Sequence, residues 1–129
     1  MVTLFRPDRP DDGFMQWYSE RKQRCLDQIW QLASEILATG NSVVLELGLV
    51  QRALRDAFYA QVDITDHRLC VYWLDVPESV RWQRVQQRNT DQSSTYKMTV
   101  TEEIFAMANS AWEAPDELEC EQRAITLVS

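Results

Sequence analysis

Residues 41–48 read NSVVLELG, an apolar run that carries one carboxylate, Glu46, near its end. An ionised carboxylate buried in such a run is costly unless it is paired, so Glu46 needs either a partner or a mouth open to water. At the carboxyl end of a parallel strand an acid of this kind can hold Mg2+ directly or through water, or orient a substrate hydroxyl. It could equally cap a neighbouring helix or pair with an arginine. The second feature is RWQRVQQRN, where Arg81, Arg84 and Arg88 stand at i, i+3 and i+7 and share one helical face. Three guanidiniums on one stripe of an acidic chain repel each other unless anions face them, and the arginine fork suits phosphate. The alternative is a solvated face bridged to the chain's many acids. The polar stretch that follows, NTDQSSTYKM over 89–98, reads as a loop, and mobile loops over phosphates are a recurring device.

Arg52 and Arg55 follow Gly48 at the top of a helix, where they either bind an anionic substrate or lie on the surface. His67 is the only histidine and has no acid or nucleophile near it in a recognisable pattern. The five tryptophans read as core or interface. No Ser/His/Asp set, cysteine nucleophile signature or carboxylate pair stands out.

These residues need elements to position them. Pro7, Pro10, Asp8, Asp11, Asp12 and Gly13 make the start irregular. A helix over about 15–39 follows, with Cys25, Ile29, Leu32, Ala33 and Ile36 at helical spacing and Leu26, Trp30 and Leu37 widening the stripe. Gly40 stands where a helix end wants a positive φ. The run 42–47 fits a strand buried on both faces, 51–60 a short helix, and RLCVYWL over 68–74 a second strand. Asp75 as cap and Pro77 in the first turn open a helix to about Arg88, and Thr99 with Glu102 has capping-box spacing for a last helix to about Trp112. The terminal AITLVS makes one more strand. Strands alternating with helices predict an α/β fold with a mainly parallel sheet covered by helices, although three strands are few for a doubly wound sheet.

A chain of 129 residues, 45% hydrophobic, suits a single domain. Twenty acidic against thirteen basic residues give a net charge of -7, which disfavours nucleic acid and anionic lipid as partners. Cys25, Cys70 and Cys120 match no metal-ligand spacing and read as reduced thiols of a cytoplasmic protein. No secretory signal and no membrane-length apolar run is present.

Taken in order, LFRPDRP, RKQRCLDQIW, ATGNSVVLELG, Arg52, the strand ending LDVPE, RWQRVQQRN and WEAPDELE make the chain resemble a P-loop NTPase of the small-kinase type, the AAA-domain or zeta-toxin-like ATP-binding kinases. The resemblance covers nearly the whole chain, and it rests on the order and spacing of motifs that are individually unspecific. It implies ATP and Mg2+ as cofactors and phosphoryl transfer to a small-molecule acceptor. It also implies Glu46 as the catalytic acid flanking the nucleotide site and an indirect Mg2+ ligand. Arg84 and Arg88 correspond to lid arginines on the ATP phosphates, and Arg52 to an acceptor contact. GxxxxGK[ST], however, appears nowhere in the sequence. In similar proteins the P-loop strand and the next strand precede the point where this chain starts. The resemblance therefore implies a member missing its first two strands, with Met1 internal to a longer protein. Weak ATP binding and little transfer follow, as do exposed strand edges prone to self-association. The alternative is a non-catalytic binding or dimerisation module.

Overall fold

The computed structural model describes residues 10–92 and 98–129. Pro7 and Asp8 of the expected irregular start, and residues 93–97 of the expected loop, lie outside them. The chain divides into two compact units, Met1–Leu47 and Gly48–Ser129.

Among its described residues the first unit carries one long helix, α1 (Phe14–Ala38), close to the expected bounds. It ends as the sequence requires, with Gly40 at φ +85°, a conformation glycine adopts without the steric cost of a Cβ. Ala33 is its buried residue, while Ile29, Leu32 and Ile36 stay more open to solvent.

The run 42–47 is a correction. It forms no strand in the structure, and Val44 is 98% exposed. Apolar, β-branched composition makes a segment fit for a sheet, but the ladder also needs a neighbour to take its backbone hydrogen bonds. Among the described residues no strand pairs with it.

The second unit contains α2 (Arg52–Asp63), β1 (Tyr72–Leu74), α3 (Glu78–Asp91), α4 (Glu102–Ser110), α5 (Glu117–Arg123) and β2 (Thr126–Val128). β1 and β2 pair in parallel, with Tyr72 opposite Thr126, Trp73 opposite Leu127 and Leu74 opposite Val128. The described residues thus give a helix-rich structure with a two-stranded parallel sheet, compatible with an α/β P-loop-like fold. The terminal strand expected from AITLVS is present. Only the last three residues of 68–74 enter the ladder. No described helix is long and apolar enough to cross a membrane.

Several boundaries move for identifiable reasons. Asp75 does not cap α3, because the helix begins after Pro77, two residues further on; the Asp75 N–H instead completes the sheet by donating to the Val128 carbonyl at 2.7 Å. Thr101, not Thr99, caps α4, its hydroxyl accepting from the Ile104 N–H at 3.2 Å. α3 runs on to Asp91, taking Asn89 into the helix. There the Asn89 amide grips the backbone of Val100 twice, donating to its carbonyl at 2.8 Å and accepting from its N–H at 3.0 Å. These two bonds tie the end of α3 to the approach to α4. Asn89→Ala is expected to lower stability by about 1–2 kcal/mol, as two partly buried hydrogen bonds are lost. A fall in the urea midpoint at unchanged slope would show it.

Trp82 packs on Phe105 at 4.9 Å between ring centroids and Trp73 lies 6.1 Å from Trp112. These contacts join α3 to α4, and the sheet to the segment after α4. Tyr59 and Val62 of α2 are buried.

Candidate functional site

The five arginines singled out on α2 and α3 have different fates. Arg81, first of the α3 stripe, turns inward. Its Nε donates to the Val76 carbonyl at 3.0 Å, its Nη1 donates to Asn109 Oδ1 at 2.6 Å, and its guanidinium lies 5.7 Å from the Phe105 ring. Arg84, one turn on, is exposed, and Arg88 is half-buried. Neither side chain has an ion pair or hydrogen bond among the described residues. They are the two charges of the stripe left available to an anion.

Arg52 is engaged. Its Nε meets Asp56 at 2.8 Å, and its Nη1 reaches Asp116 at 3.1 Å and Glu119 at 3.5 Å. Its backbone N–H, at the start of α2, donates to the Glu113 carboxylate at 2.7 Å, while the Glu113 N–H donates to the Val50 carbonyl at 2.8 Å. A carboxylate at a helix N-terminus satisfies an orphan donor and complements the helix dipole. Glu113 thereby does for α2 what Gln51, the cap residue in sequence, does not.

Beneath Arg52 lies the most buried polar group of the described residues. Arg55 holds Glu119 in a two-pronged pair, Nε to Oε1 at 2.6 Å and Nη2 to Oε2 at 3.0 Å, and its Nη1 donates to the Leu49 carbonyl at 3.2 Å. The Tyr59 hydroxyl donates to Glu119 Oε1 at 2.9 Å. Glu119 is only 1% exposed and Arg55 6%, so both charges are withdrawn from water and each is answered by the other. Arg123 closes the arrangement, gripping Asp63 at 2.7 and 2.8 Å and stacking 4.3 Å from the Tyr59 ring. The whole set joins one face of α2 to α5.

The protonation states follow. The hydrogen bond from Arg55 holds the Glu119 carboxyl below the usual glutamate range against the opposing effect of burial, and Tyr59 adds to it. Burial, then the hydrogen bond to Glu119, pushes the Tyr59 phenol up to about 12. The Arg123 hydrogen bonds lower Asp63. At neutral pH Glu119 is therefore a fixed anion and Tyr59 a fixed neutral donor. Such a cluster fastens two helices and is not poised for acid–base chemistry, which needs a group titrating near the working pH.

This network escapes the sequence reading, yet it leaves a signal there. Arg52 and Arg55 stand three apart, as do Asp116 and Glu119, so two cations and two anions fall at matching helical spacing. Asp116 with Glu119 is also a capping-box pattern, and Asp116 does cap α5, accepting from the Glu119 N–H at 2.7 Å.

Glu46 is exposed, in the irregular end of the first unit. Among the described residues no three His, Cys, Asp or Glu side chains gather as a metal site. His67 is exposed, its N–H donating to Thr65 Oγ1 at 3.3 Å, and the three cysteines are unpaired.

Comparison with curated proteins gives no match, nor does comparison with solved structures. A family model does match, that of an AAA domain, over residues 3–115 of the 129. The span includes α1 to α4 and the arginine stripe, and it stops just before α5. The chain belongs to the AAA domain family, a P-loop NTPase-like family whose members bind nucleotides.

Proposed function

We propose that the chain is the acceptor-side and lid portion of a small-molecule kinase, in which Arg84 and Arg88 of α3 close on the phosphates of ATP. The supporting observation is their availability. Arg52, Arg55, Arg81 and Arg123 are consumed by internal partners, while Arg84 and Arg88 have none among the described residues. A permanent, planar, unpaired cation fits a polyphosphate. Glu46 takes the acidic role beside the nucleotide. A single exposed carboxylate can hold Mg2+ only together with phosphate oxygens and water, which is how that ion is usually held at ATP sites. Arg52 would reach an anionic acceptor by exchanging Asp116, its 62% exposed partner, for the substrate.

The sequence has no GxxxxGK[ST], and lid arginines do not replace the backbone amides and lysine that cradle phosphates. The 129-residue chain therefore binds Mg-ATP weakly and transfers little phosphate. Titration calorimetry with Mg-ATP tests both parts. Arg84→Ala and Arg88→Ala are each expected to weaken binding about tenfold, roughly 1.5 kcal/mol. Arg24→Ala, on α1, should change nothing. A version preceded by a segment with a P-loop should bind far more tightly. Binding that ignores both lid substitutions would overturn the assignment, and micromolar binding by the chain alone would overturn its weakness. A non-catalytic binding or dimerisation module is the second reading, favoured by an edge of β1 that meets no other strand among the described residues.

A further inference from the structure

Arg81 has hydrogen-bond partners but no counter-ion. Its Nε and Nη1 donate to the Val76 carbonyl and to Asn109 Oδ1, both uncharged, and its Nη2 makes no hydrogen bond among the described residues. No described carboxylate pairs with it, and the Phe105 ring, 5.7 Å away, answers a cation less well than a carboxylate does. Asn109 has the complementary deficit. Its Oδ1 accepts from Arg81 at 2.6 Å, which fixes the amide, because the opposite orientation would set N–H groups against a guanidinium. Nδ2 is thereby left buried with no acceptor, a cost that folded proteins seldom carry. Aspartate has the same shape, would answer the charge of Arg81 and would orphan no donor. Asparagine instead leaves a cation and a donor unanswered side by side. One chemical group satisfies both, an anionic oxygen.

The position suits such a ligand. Arg81 folds back on Val76, in the turn that follows the carboxyl end of β1, and ligands of open α/β sheets bind beyond the carboxyl ends of the strands. Arg84 stands about one turn further along the same face of α3, and Arg88 about one turn beyond it. A row of cations calls for an anion with several charged oxygens. We propose that Arg81 and Asn109 form a seat for a phosphate group at the β1 end of this row, Arg81 supplying the charge and Asn109 Nδ2 a hydrogen bond. The ligand's class rests on the kinase reading, whereas the seat rests on the unanswered charge and donor. Nδ2 is covered, but both side chains as a whole are half-buried, so a side-chain rotation presents the donors to the anion.

The test uses inorganic pyrophosphate and the 129-residue chain. In proton–nitrogen correlation spectra the Asn109 side-chain amide is expected to shift as pyrophosphate is added. Asn109→Asp should hold or raise the melting temperature, because Arg81 gains a charged partner, and should weaken pyrophosphate binding about tenfold or more, because the seat is then filled and negative. A purely structural Asn109 would give the same melting temperature with binding untouched, and that result overturns the proposal. So does an Asn109 amide that pyrophosphate leaves unmoved, a measurement on the native chain that holds whether or not the variant folds. Mg-ATP moving the amide assigns the seat to a nucleotide phosphate, and a sugar phosphate alone moving it assigns the seat to a phosphorylated acceptor. The lid is judged separately. A shift at Asn109 that survives Arg84→Ala and Arg88→Ala supports the seat even where Mg-ATP binding ignores those substitutions and the lid assignment falls.

Discussion

Replacing Glu119 by alanine is expected to destabilise the chain by about 3–5 kcal/mol, because the change leaves the Arg55 guanidinium buried without its anion. The cost is not one hydrogen bond. Glu119 accepts from Arg55 twice and from Tyr59 once, and all three donors lose their acceptor together. Urea unfolding followed by circular dichroism measures the loss as a shift of midpoint. The double variant Arg55→Met with Glu119→Leu separates charge from packing. It removes both ions and fills similar volume, so it should be far milder than Glu119→Ala alone and could even stabilise. Equal losses in the two variants would show that the site matters for its shape and not for its charge pairing.

The second large effect is alkaline. In the unfolded chain Tyr59 ionises near 10.0, whereas in the folded chain its phenol is pushed up to about 12 by burial and by its bond to Glu119. An acid whose folded pKa is raised stabilises the fold below the unfolded value, and that stability drains as pH rises toward the folded value. The whole contribution is about 3 kcal/mol, two pKa steps at 1.36 kcal/mol each; about 2 kcal/mol of it goes between pH 10 and 12 and the rest just outside that range, part of it only above pH 12. The carboxylates set the opposite limit. Glu119 and Asp63 lie below their usual values of 4.5 and 3.8, so what they contribute is present above those values and disappears as pH falls through the lowered ones. Thermal unfolding against pH should therefore show a plateau with two shoulders. Tyr59→Phe should abolish the part of the alkaline shoulder that Tyr59 supplies while sparing the acid one. An unchanged alkaline shoulder in that variant would remove Tyr59 as its cause.

What was legible in the sequence depended on how local the determinant is. α1 could be read because a 25-residue amphipathic pattern and a glycine after it act within a few residues of one another. The terminal strand was visible only as composition, and it forms because β1 lies beside it. The run 42–47 misled, since its composition speaks for a strand while the ladder depends on a neighbour that composition does not reveal. Asp75 reads as a cap from spacing alone, but the helix starts two residues later, after Pro77, and the Asp75 N–H joins the sheet through Val128, 53 residues away. Of the site, the stripe of Arg81, Arg84 and Arg88 was visible as spacing. That Arg81 would turn to Asn109 and leave the other two open was not, because Asn109 lies 28 residues away. α5 was missed altogether, although its capping pattern was present.

The fastening of α2 by α5 has a consequence during synthesis. Arg55 and Glu119 are 64 residues apart in sequence, Tyr59 and Glu119 are 60 apart, and Arg123 and Asp63 are also 60 apart. Arg52 has Asp56 one turn on in the same helix, but Arg55 and Asp63 must wait for the ribosome to deliver their partners. At typical elongation rates of about 5–20 residues per second, the interval is roughly 3–12 s. Throughout it Arg55 and Tyr59 lack the carboxylate that holds them in the finished chain. The final turns of the chain then seal them.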